Sequence, residues 1–158
     1  MADESAGESG TTQKSLDAYS RQSMYIYVPD TSASDAGTSI VLLVNNSGWV
    51  NSPVLDVLKA GGEYVSDSDK DAIGAALKAG YVIVSAGTRS RGLTAADGTY
   101  PGHAPAAVVD AKAAVRYLKL NDGEMAGSAD RIVITGTSGG GALSVVVGAS
   151  GNSPDYYP

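Results

Sequence analysis

The chain has 158 residues and a formal net charge of −6, from 11 Lys and Arg against 17 Asp and Glu. This length suits one domain with a real core, and an 18% charged composition is too low for a disordered chain. The acidic balance excludes a duplex-binding surface, which needs clustered Lys and Arg facing phosphates. The absence of Cys excludes disulfides, thiolate nucleophiles and iron–sulfur sites, and the lone His103 excludes a multi-His metal site. No cofactor or metal is expected.

Residues 1–21 are small, polar and acidic without periodicity, and are expected to form a disordered lead-in. A signal peptide is basic and then apolar, unlike this opening. The expectation is a protein that stays inside, or a sequence that begins after a removed segment. No run approaches the roughly 18 apolar residues of a membrane span, and no membrane partner is expected.

Met24–Val28 alternates aromatic and aliphatic residues up to Pro29, which predicts a half-buried or edge strand. A Ser-, Asp- and Gly-rich turn follows over Asp30–Thr38. Ile40–Val44 is a short continuous apolar run, the pattern of a strand covered on both faces. Asp67–Gly80 predicts a helix: Asp67 or Ser68 supplies the cap, Ile73, Ala76 and Leu77 share a face, and Gly80 is the stop. Tyr81–Val84 repeats the buried-strand pattern. A second helix is expected from Ala104, with Pro105 in its first turn, to about Asn121; its stripe is Val108, Ala111, Val115 and Leu118. Ile132–Ile134 is a further buried strand, and an apolar helix follows from about Ala142 to Ala149. This alternation predicts a parallel α/β sheet.

Ligand crevices of such sheets lie at the carboxyl ends of the strands, here the loops 45–52, 86–103 and 135–141. The last contains Gly136-Thr137-Ser138-Gly139-Gly140, a match to G-x-S-x-G between a strand and a helix. A serine presented on so sharp a turn needs residues without Cβ two before and two after it, which Gly136 and Gly140 supply. The Ser138 hydroxyl then stands at a helix N-terminus, where free N–H groups favour developing negative charge. Gly139 N–H is the first candidate oxyanion donor, and Ser47 or Gly48 in the loop after the preceding buried strand is the second. Each such donor is worth about 2.7–4 kcal/mol of transition-state stabilisation. In one competing reading Ser138 merely caps a helix in a Gly-rich turn without catalysis, and in a second the chain is a non-catalytic binding module on the same fold. In another the turn cradles a nucleotide phosphate, although Ser138 breaks the G-x-G-x-x-G pattern.

His103 precedes Ser138, against the Ser, Asp or Glu, His order of this chemistry, and is expected at a loop mouth as a substrate contact. Asp110 is expected to be a solvated helix residue. Arg89 and Arg91 are candidates to hold a loop or a carboxylate, and Trp49 and Tyr100 to line a pocket. Asn45-Asn46-Ser47 matches a glycosylation sequon and reads as an accident of composition.

These segments resemble the α/β-hydrolases of the bacterial tannase and feruloyl-esterase-like type from about Gln22 to Pro158. QSMYIYVP is similar to that family's first strand, Val44–Trp49 to its oxyanion loop and SAGTRSRG to its next loop. The most specific likeness is HAPAAVVDAKAAVRYLKLN through RIVITGTSGGGALS. The resemblance implies hydrolysis of phenolic-acid esters, with Ser138 as nucleophile and Gly139 and the Ser47–Gly48 region as oxyanion donors. Trp49, Arg89, Arg91 and His103 are the candidate substrate contacts. Gly139 stands where the family suggests Ala, and a backbone donor is indifferent to that change. The family continues beyond the nucleophile with further strands, a lid-type insertion and the catalytic acid and base. Residues 22–158 therefore read as the N-terminal part of an incomplete α/β-hydrolase domain. The rest is expected in a longer sequence or a separate chain, with little activity from this portion alone. A small ester is the expected partner, and no nucleic acid.

Overall fold

The computed structural model describes residues 22–54 and 72–157. The lead-in expected over 1–21 and the helix caps expected at Asp67 or Ser68 lie outside those residues.

Four strands form one sheet: β1 (Met24–Tyr27), β2 (Ser39–Val44), β3 (Val82–Ala86) and β4 (Ser128–Thr135), in the order β1-β3-β2-β4. β2 runs parallel to both β3 and β4, with Leu42 opposite Val84 on one side and Ile134 on the other. β1 departs from the expected parallel arrangement and pairs antiparallel with β3. Every residue of the central β3 is buried, as its uninterrupted apolar run requires. β4 is the opposite edge among the described residues, and its outward Val133 is 56% exposed.

Among the described residues three α-helices accompany the sheet: α1 (Ala72–Lys78), α2 (Ala106–Leu120) and α3 (Gly139–Ala149). α1 ends as its sequence specifies. Gly80 takes φ 83°, its N–H donates to Leu77 O and the N–H of Tyr81 to Ala76 O, both at 3.0 Å. These two bonds satisfy helix-end carbonyls in the Schellman pattern, which needs a left-handed residue at Gly80.

The predicted stripe of α2 supplies much of the core. Leu118 and Ala114 pack against Ile40, Leu42, Val82 and Val84, with Val115 at the margin. Val108 and Ala111 meet Leu143 and Val147 of α3 over Val44. Leu118 and Leu143 are fully buried, and burying one such side chain stabilises the fold by about 1.5–3 kcal/mol. α2 therefore holds α3 against β2, which fixes where α3 begins.

Between the two helices lies a buried cation. Lys112 of α2 donates from Nζ to Val147 O at 3.3 Å and to Gly151 O, at the carboxyl end of α3, and sits 5.5 Å from the Tyr156 ring centroid. The unpaired carbonyls of a helix C-terminus attract positive charge. Burial first, and the neighbouring Arg116 second, hold the Lys112 ammonium below its ordinary pKa.

Candidate active site

α3 begins at Gly139, three residues before the predicted Ala142, so its first turn directly follows Ser138. Ser138 has φ 55° and ψ −119°, and among the described residues only Trp49 joins it as a non-glycine with positive φ. Backbone of this kind costs of order 1–3 kcal/mol and persists only where surrounding packing imposes it. The Ser138 side chain does not cap α3, so the competing reading of a capping serine fails. The residue is exposed, while Gly139 and Gly140 beside it are buried.

The packing that imposes this backbone is measurable at the glycines. A Cβ on Gly136 would lie 2.4 Å from Val44 O and 2.7 Å from Gly140 C, and one on Gly140 would lie 2.4 Å from the same Val44 oxygen. A Cβ on Gly139 would lie 2.3 Å from Asn46 O, 2.8 Å from Trp49 N and 3.3 Å from Gly48 N. The turn after β4 is thus pressed onto the loop after β2 with no room for side chains. As the first residue of α3, Gly139 has an N–H without an intrahelical acceptor.

The facing loop is itself tightly wound. Ser47–Trp49 makes a 3-10 turn in which Gly48 (φ 64°, ψ 17°) and Trp49 (φ 57°) are both left-handed. Trp49 N–H donates to Asn46 O at 2.8 Å and Val50 N–H to Ser47 O at 3.3 Å. The loop after β3 braces it. Arg91 Nη2 donates to Gly48 O and Ser90 Oγ to Trp49 O, each at 2.7 Å. Backbone bonds join Ser52 and Thr88 in both directions, at 3.0 and 2.8 Å, and the N–H of Asn51 donates to Arg91 O at 2.9 Å.

Asn46 and Thr88 are the residues that sequence reasoning missed. Both are fully buried. The Asn46 amide meets the Thr88 hydroxyl, with Nδ2 at 2.6 Å and Oδ1 at 2.9 Å, and Nδ2 also donates to Val50 O at 3.2 Å. Buried polar groups must be paired, and this pair ties the two loops at their base. A polar residue directly after a buried strand was the available signal; the sequon match obscured it.

One expectation needs correction. Asp110 is 6% exposed rather than solvated. Its carboxylate accepts from Arg89 N–H at 2.7 Å, from Arg89 Nε at 3.0 and 3.2 Å, and from Arg89 Nη2 at 2.7 Å. A two-pronged guanidinium–carboxylate pair of this kind suits a partly buried position. Those bonds raise the Arg89 pKa above its ordinary value against an opposing effect of burial. Arg89 thus holds a carboxylate and anchors its loop to α2, the first of the two roles expected of it.

The other candidates stay near the turn. Trp49, Arg91, Pro105 and Val108 line a cleft of about 240 Å³. His103 and Tyr100 line an adjoining one of about 290 Å³ that shares Ser90 and Arg91. The His103 and Tyr100 rings lie 5.7 Å apart, and both residues are exposed. Gly139, next to Ser138, is thus brought against Gly48 and Trp49, Ser47 sits one residue from the contact, and Arg91 links the cleft beside Trp49 to the one lined by His103. No group of three or more His, Cys, Asp or Glu among the described residues could hold a metal ion.

The sheet order, the antiparallel first strand and the strand–turn–helix after β4 define an α/β-hydrolase-type domain. The chain belongs to the BD-FAE family, whose model matches residues 24–156. Among solved structures it is similar to a Fusobacterium nucleatum tannase, with 38% identity and a TM-score of 0.78 over 95% of this chain and 32% of that one. A tannase from Lactobacillus plantarum is 34% identical with a TM-score of 0.76, covering 93% of this chain and 32% of that one. A tannin acyl hydrolase in complex with ethyl gallate gives 34% identity and a TM-score of 0.76, over 93% of this chain and 33% of its own. The chain spans about a third of the length of these enzymes. Among curated proteins, none matches.

Proposed function

We propose that residues 22–158 form the nucleophile-bearing portion of a serine carboxylic-ester hydrolase acting on phenolic-acid esters, with Ser138 as nucleophile. The observation that carries this reading is the strained, exposed, non-capping backbone of Ser138 at the start of α3. The geometry has a functional cost without a structural return unless the hydroxyl is used. The likeness to tannin acyl hydrolases supports the substrate class.

On this proposal, Ser138 Oγ adds to the ester carbonyl carbon while its proton passes to a general base. The carbonyl oxygen becomes an oxyanion held by the N–H groups of Gly139 and Gly48, aided by the α3 dipole. Collapse expels the alcohol and leaves the acyl group on Ser138, and water then releases the phenolic acid. Trp49, Pro105 and Val108 supply apolar cleft walls suited to an aromatic acyl group. On this proposal the base and its orienting acid are groups other than those described at the Ser138 turn.

The test uses the protein expressed from its complete reading frame, offered an alkyl hydroxybenzoate and, separately, a fluorophosphonate. Turnover that vanishes in Ser138→Ala, with the label mapping to the peptide bearing Ser138, is the expected result. Saturable ester binding with neither turnover nor labelling would overturn the proposal in favour of a binding module.

A further inference from the structure

Gly48 and Trp49 are consecutive left-handed residues, and a bulky aromatic side chain does not adopt φ 57° without restraint. The restraint is visible. The carbonyl oxygens of these two residues are gripped by two consecutive residues of the loop after β3, Arg91 on Gly48 O and Ser90 on Trp49 O, each at 2.7 Å. That loop is immobilised from the other side by Arg89, whose backbone N–H and guanidinium both engage the buried carboxylate of Asp110 in α2. A chain of bonds therefore runs from α2 through Arg89 to the peptide that faces Gly139.

From this geometry we infer that Arg91, with Ser90, is a positioning residue for the oxyanion site, setting the orientation of Gly48 N–H rather than touching substrate; the inference rests on the esterase reading above. Holding the Gly48 carbonyl fixes the plane of the Gly48–Trp49 peptide, so the preceding peptide, which carries the Gly48 N–H, can turn only about the Gly48 φ and ψ bonds. Gly48 N lies on the side packed against Gly139, 3.3 Å from where a Gly139 Cβ would stand, and the Gly48–Trp49 peptide leads into the strained Trp49. Released from Arg91, the loop relaxes its left-handed pair. The donor then moves away from the place where negative charge develops, while Pro105 and Val108 still wall the cleft. Complete loss of an oxyanion donor costs roughly 10²–10³ in turnover, so misdirecting one costs less, on the order of tenfold to a hundredfold.

The experiment compares Arg91→Ala, Arg91→Lys and Ser90→Ala with wild type and Ser138→Ala in the protein from the complete reading frame. Three quantities are read: turnover and KM for an alkyl hydroxybenzoate, affinity for an aryl trifluoromethyl ketone, and affinity for the product hydroxybenzoic acid. The ketone adds to the serine and mimics the oxyanion; the acid does not. Arg91→Ala should lower kcat about tenfold or more with KM changed less than about twofold. It should weaken the ketone by a matching factor and leave the acid unaffected. Arg91→Lys should recover most of that loss, because an ammonium can still donate to Gly48 O, and added guanidinium should partly restore the alanine variant. Ser90→Ala should show the same split at smaller amplitude, and decides the matter should Arg91→Ala fail to fold. Unchanged kcat and ketone affinity in both alanine variants would overturn the inference, as would equal weakening of ketone and acid, which would make Arg91 a substrate-binding group. Wild type without turnover or ketone binding would overturn the esterase reading, and the inference with it. An active wild type silenced by Ser138→Ala but indifferent to Arg91→Ala would sink the inference alone.

Discussion

Alanine at position 136 perturbs the turn sharply, because every atom it would meet is backbone. The added Cβ would lie 2.4 Å from Val44 O, 2.7 Å from Gly140 C and 2.8 Å from Gly140 O. Ordinary contact begins at 3.4 Å, so β2 and the first turn of α3 must each give way by part of about 1 Å, and no side chain can swing aside instead. Overpacking of this kind costs about 1–3 kcal/mol. Prising apart the carboxyl ends of β2 and β4, where Leu43 pairs with Thr135, adds about 1 kcal/mol for a weakened hydrogen bond. A loss of about 3 kcal/mol in a domain of this size lowers Tm by roughly 6–12 °C. Thermal unfolding followed by circular dichroism measures it, with Gly148→Ala as the control. Position 148 also lies in α3, but a Cβ there meets nothing within 4 Å, so alanine should stabilise by about 0.5–1 kcal/mol through helix propensity alone. A Gly136→Ala protein melting within about 2 °C of wild type would refute the claim that the turn is packed to contact.

Three further outcomes are expected. Ser138→Gly should raise stability by about 1 kcal/mol in urea titration, because glycine accepts the strained backbone and returns part of the gain through its freer unfolded chain; a destabilised variant would mean Ser138 is not strained. Asp110→Asn should cost about 2 kcal/mol by the same titration: breaking a fully buried ion pair costs more, but the Arg89 side chain keeps 26% of its exposure. Lys112 gives a pH signature. Its folded-state pKa lies below the ordinary 10.5, chiefly through burial, so the unfolded chain binds that proton more tightly. The resulting penalty is full below the folded-state value and is relieved as pH rises from there toward 10.5. Lys112→Met should remove that alkaline rise in stability, and melting curves collected across the window would show whether it does.

The parts of the fold that were legible are those written in side-chain periodicity. The apolar runs at Ile40–Val44 and Tyr81–Val84 mark strands covered on both faces, and the Val108, Ala111, Val115, Leu118 stripe marks the buried face of α2. Direction is not written there: β1 has the alternation of a half-buried strand whichever way it runs, and only pairing with β3 makes it antiparallel. Boundaries failed where packing outweighs propensity. Glycine disfavours helix, yet Gly139 and Gly140 open α3 because the contact with Asn46 and Val44 tolerates nothing larger. The site was legible as a local motif at Gly136–Gly140. Its bracing was not, because the bonds from Arg89, Ser90 and Arg91 span 21 to 43 residues of sequence. Asp110 beside an apolar stripe looks like any helix-surface carboxylate until its partner is placed.

Trp49 is the chain's single tryptophan against nine tyrosines, and it stands in the loop that faces Gly139, 41% exposed. In these 158 residues long-wavelength excitation would therefore isolate one indole at this spot. The protein carries a built-in optical reporter there, and quenching or a spectral shift on adding an aromatic ester would register occupancy of the cleft without any attached dye.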